Sequence, residues 1–73
     1  MERYLLQLSE KPNYWVCTDI ECGIVCVFEE KNYNDNQKFT LLENYQLPDA
    51  NAIAKVAREM GDWLRANHYD KIF

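Results

Sequence analysis

Cys17, Cys22, Cys26 and His68 are the side chains with the most versatile chemistry in this chain. Thiolates and an imidazole together make a zinc site when one close cysteine pair is joined by a second pair of ligands elsewhere. Here three thiols fall within one short stretch and the second pair is reduced to a lone histidine. The strand register expected below also sends Cys17 and Cys26 to opposite faces of a sheet. They read as two small sheet hydrophobes and one loop thiol, and no metal or other cofactor is expected. General-base work by His68 needs a partner and a pocket. A histidine at the end of a helix more simply favours the negative pole of its dipole. The chain has only two glycines, no phosphate-cradling loop and no Ser-His-Asp set, so catalytic residues are not expected and the chain reads as a non-enzyme.

Asp19, Glu21, Glu29, Glu30 and Asp35 cluster around two strands and their loops. The stretch Asn32-Tyr33-Asn34-Asp35-Asn36 has some calcium-loop character, but it lacks the glycine and the terminal bidentate glutamate of an EF-hand. A solvated acidic rim is the expected reading. Tyr14 and Trp15 are strand aromatics of the kind that stack nucleobases. The frame around them is acidic, however. The net charge is -4, and residues 1–47 hold eight acidic groups against four basic ones. Nucleic acid is therefore not an expected ligand, nor is a small molecule.

Residues 3–9 alternate as a strand does, and residues 14–20 (Tyr-Trp-Val-Cys-Thr-Asp-Ile) are rich in β-formers. Glu21-Cys22-Gly23 reads as a three-residue hairpin loop with glycine in the left-handed position. The unbroken apolar run 24–29 predicts a central third strand. Residues 38–43 predict a fourth strand, with a short helix capped by Asn34 as the alternative for 34–42. The strongest signal comes last. Asp49 is a good N-cap behind Pro48, and Ile53, Val56, Ala57, Met60 and Leu64 recur on one helical face. Small residues on one flank of that face, Gly61 above all, predict a close approach. Asn67 and His68 should end the helix, leaving a short tail that includes Tyr69, Ile72 and Phe73.

The expected fold is α+β: an antiparallel meander of three to four strands with one C-terminal helix on one face, a single domain over residues 1–73. A strand-strand-strand-helix order with Tyr14-Trp15-Val16 in the second strand resembles the partial RNase H-type fold of HicB antitoxins. The Pro-Asp-Leu-Pro-Gly segment and Gly-Asp-Thr turn of that pattern are missing, residues 22–46 have no counterpart, and no role is carried over. Residues 1–8 have neither a long apolar region nor a small-residue cleavage site, and no apolar run has membrane-spanning length. An odd number of cysteines argues against a disulfide framework. These features point to the cytoplasm.

With the loop at 21–23, Ile20 pairs with Ile24 and Thr18 with Cys26. One face then carries Tyr14, Val16, Ile20, Ile24, Cys26 and Phe28, and the other carries Trp15, Cys17, Asp19, Val25 and Val27. Both faces are largely apolar, and one helix shields only one. Either the tail or the 30–37 loop folds over the second face, or a protein partner does, a second copy of the chain included. The interface expected on the partner reading is Leu5, Trp15, Val25 and Val27. A small acidic regulatory or inhibitory protein acting on a cationic target is the alternative role.

Overall fold

Alternation, turn residues and helical periodicity become six elements in the computed structural model, which describes residues 3–33, 37–43, 45, 46 and 49–72. They are β1 (Tyr4–Leu8), β2 (Tyr14–Asp19), β3 (Ile24–Glu29), β4 (Lys38–Leu41), α1 (Ala50–Asn67) and α2 (Tyr69–Ile72). The strands form one antiparallel sheet in chain order, with the apolar β3 in its interior. Residues 38–41 are strand, not helix. Asn34, Asp35, Pro48 and Phe73, which figured in the expected cap, acidic rim, helix boundary and tail, lie outside the described residues. No helix among the described residues is long and apolar enough to cross a membrane.

α1 starts where the Asp49 carboxylate accepts the Ala52 N–H at 2.8 Å, replacing a partner the first turn lacks. It ends where the His68 N–H donates to the Leu64 carbonyl. Between these caps Val56, Met60, Gly61 and Leu64 are buried, while Asn51, Lys55, Arg58, Asp62 and Arg65 face outward. The small-residue flank is only partly used, since Ala50 and Ala54 are exposed. The close approach occurs at Gly61, against the Tyr33 ring and not the sheet backbone: a Cβ there would lie 3.1 Å from a ring carbon. Tyr33 is held by its hydroxyl, which donates to the Ala57 carbonyl at 2.7 Å, and by an edge-on contact with Phe28. Tyr4, Cys17, Ile24, Cys26 and Phe28 complete the core from the sheet side, and Trp63 stacks on Tyr4 at its margin.

The β2–β3 register differs from expectation by one residue. Asp19 pairs with Ile24, Cys17 with Cys26 and Trp15 with Phe28, so the loop has four residues, 20–23. The reason is Asp19. Its carboxylate accepts the N–H groups of both Glu21 and Cys22, an Asx-type turn that ends the strand one residue early. Its carbonyl accepts the Gly23 N–H at 2.7 Å. A one-residue slip exchanges the two faces of a strand. Trp15, Cys17 and Asp19 therefore share the helix-covered face with Ile24, Cys26 and Phe28, and the expected opposition of Cys17 to Cys26 is overturned. Arg3 accepting from Ile20, and Tyr14 from Ser9, aim the even-numbered β2 amides at β1. Cys17 and Cys26 thus form a hydrogen-bonded pair, a geometry with Cα atoms about 5.5 Å apart.

Gly23 closes this loop with φ +73°, and the Tyr45 ring lies directly on it, where a Cβ would stand. Gly23→Ala should destabilise the chain in urea melts by about 2 kcal/mol, from the left-handed backbone together with displacement of the ring. In a Tyr45→Ala background the cost should fall towards about 1 kcal/mol, and an unchanged cost would show that the ring contact contributes nothing.

Candidate functional site

Alternation along the observed register gives the sheet a second face, away from α1. Leu5 and Gln7 come from β1, Tyr14, Val16 and Thr18 from β2, Val25, Val27 and Glu29 from β3, and Lys38 and Thr40 from β4. Val16, Val25 and Val27 are half-buried and Leu5 is 46% exposed. Thr18, at 9% exposure, lies between its cross-strand partners Leu5 and Val25. The short α2 follows directly on α1.

Of the interface residues expected from sequence, Leu5, Val25 and Val27 share this open face. Trp15 does not. It sits on the helix side, half-buried against the core, with Nε1 donating to Glu30 at 3.1 Å. The one-residue change in the hairpin register is the cause.

One end of the open face is concave. Ser9, Lys11, Tyr14, Val27 and Lys38 line a half-open hollow of about 320 Å³. Val27 and Lys38 are cross-strand partners. Lys11 reaches it from the β1–β2 loop and holds its ammonium 4.5 Å from the centre of the Tyr14 ring, within cation–π range. The sequence pattern contains no signal for this pairing of lysines; it follows only from the register.

The remaining chemistry-bearing residues are occupied structurally. Arg3 donates from Nε and Nη2 to the fully buried Asp19 carboxylate, at 2.9 Å in the shortest contact, and also approaches Glu59 on α1 and the Cys22 sulfur. Burial is the largest influence on Asp19 and opposes its charge. The hydrogen bonds from Arg3 and the Cys22 N–H, with the Arg3 charge, outweigh it and hold the carboxyl below its ordinary value. Cys17 and Cys26 are completely buried, which pushes both thiols up to about 12. Cys22 lies by Arg3 at the hairpin loop, and the His68 ring meets Trp63 at a tilt of 54°. The three thiols and the imidazole do not converge, and the described residues contain no cluster of three or more metal-ligating side chains. Compared with known proteins, the chain matches no family model, no curated protein and no solved structure.

Two outcomes follow. A carboxyl with a depressed folded pKa supplies stability above its unfolded value of about 3.9 and loses it as pH falls through the folded value. Asp19→Asn should cost about 3 kcal/mol at pH 7, and its difference from wild type should shrink in urea melts taken below about pH 4. The thiolate is the reactive form of cysteine. An aromatic disulfide reagent at pH 8 should therefore titrate Cys22 first, while Cys17 and Cys26 react only at the rate of unfolding.

Proposed function

We propose that this protein is a small, non-catalytic interaction module that contacts a protein partner through the open face of its sheet, a second copy of the chain being one such partner. The observation carrying this reading is the placement of Leu5, Val16, Val25 and Val27 on the side of the sheet opposite α1. Apolar side chains at the solvent boundary gain free energy when another surface removes them from water, at about 25 cal/mol per Å². Contiguous patches of this kind mark contact surfaces. Three unpaired thiols suit a reducing compartment such as the cytoplasm, where such a partner would be met.

The test uses Leu5, which is exposed enough that a substitution leaves the fold largely intact. Leu5→Asp should weaken association by about tenfold or more, because it strands a carboxylate in an apolar contact. The readouts are sedimentation velocity for self-association and affinity capture for another protein. Arg58→Glu, on the outer face of α1, should leave binding unchanged. Binding lost with Arg58→Glu but indifferent to Leu5→Asp would move the contact to the charged outer surface.

A further inference from the structure

We infer that the hollow between Lys11 and Lys38 receives the carboxylate side chain of an acidic, apolar-flanked peptide segment of the partner; this rests on the open face being the contact surface. The argument begins with charge. The first 47 residues are acidic, with only four basic groups. Arg3 is committed to Asp19. Two of the other three, Lys11 and Lys38, line one hollow on one face. Among the described residues no carboxylate lies within ion-pair distance of either ammonium. Glu29 shares this end of the face as the cross-strand partner of Tyr14, but its carboxylate accepts the Asn32 side-chain amide at 2.8 Å. Two lysines thus line one cavity within a negative protein, and charge complementarity favours an anionic occupant.

The lining narrows the class. Ser9 and Tyr14 line the hollow with the two lysines, and the Ser9 hydroxyl, whose oxygen accepts the Lys11 N–H, keeps its own proton to donate to a carboxylate. Val27 gives an apolar wall continuous with Val16 and Val25 along the face. A small inorganic anion would leave that wall unused. An acidic side chain flanked by aliphatic ones would meet both surfaces. The volume, about 320 Å³, is at the low end of the roughly 300–1,000 Å³ of ligand pockets, which suits side chains of a peptide better than a large cofactor.

The experiment is amide chemical-shift titration of the isotope-labelled full chain. The probe is an acetylated, amidated peptide Leu-Glu-Val-Glu-Leu, its controls the same peptide with glutamine for glutamate and inorganic phosphate alone. The acidic peptide should give saturating shifts at Ser9, Tyr14, Val27 and Lys38. The glutamine peptide should bind at least about fivefold more weakly, and phosphate should give no saturation. Surface charge pairs contribute modestly, so Lys11→Gln and Lys38→Gln should each weaken the acidic peptide by about threefold, and together by about tenfold. Thermal melts of these exposed variants should match wild type. Equal binding of the two peptides, saturation by phosphate alone, shifts confined to other residues, no shifts, or an undiminished double variant would each overturn the inference. If the double lysine variant keeps its protein partner while Leu5→Asp loses it, the open-face reading stands and only the carboxylate assignment falls.

Discussion

The fold turns on one buried carboxylate. Asp19 is fully enclosed, and an unpaired charge in that position would cost several kcal/mol. It is satisfied on every side: by the guanidinium of Arg3 from before β1, and by the N–H groups of Glu21 and Cys22 from the loop it closes. These bonds do more than neutralise it. They end β2 at Asp19, lengthen the hairpin loop to four residues and thereby decide which side chains of β2 meet the helix. Arg3 extends the network to Glu59, so the same charge ties the first strand to the last long element. The pair has a specifying role, fixing register, in addition to any net stability it supplies.

Once the register is fixed, the division of labour between the two sheet faces follows. The helix side takes the large and chemically inert groups: Phe28, Ile24, the two raised-pKa thiols, and Trp15 anchored by Glu30. The other side keeps aliphatic side chains that are only half removed from water, bordered by Thr40, Gln7 and two lysines. A chain of 73 residues has little surplus apolar surface, because small domains bury a smaller fraction of what the unfolded chain exposes. Valines on a face without a helix are therefore informative, and the lysines at one end of it give that face a polarity opposite to that of the whole protein.

Strand existence, strand order, the central place of β3 and both ends of α1 were legible because each rests on local periodicity or a capping residue. Asp49 and the Val56–Met60–Leu64 stripe are examples. The β2–β3 register was not, because it depends on a hydrogen-bonding choice by one side chain. Aspartate bonding its own downstream amides is a known turn device, and the Asp19-to-Gly23 spacing was the available signal. Tyr33 and Tyr45 escaped for a different reason. Each packs on a glycine distant in sequence, Gly61 and Gly23 respectively, and nothing in their polar neighbourhoods marks them as packing residues. The candidate site was half legible: Leu5, Val25 and Val27 do share one sheet face, Trp15 fell to the other face through the register, and Lys11 with Lys38 emerged only from the three-dimensional arrangement.

The unbroken β1-β2-β3-β4 order bears on how the chain reaches this state. Each strand pairs with its sequence neighbour, so the sheet closes only short loops and its assembly carries a low entropic barrier. Contacts of long reach join Arg3 and Tyr4 to Glu59 and Trp63. Until α1 docks, both sheet faces are wet. The arrival of the helix is the step that dries one of them, and a nascent chain leaving the ribosome would carry two sticky sides until its final third had emerged.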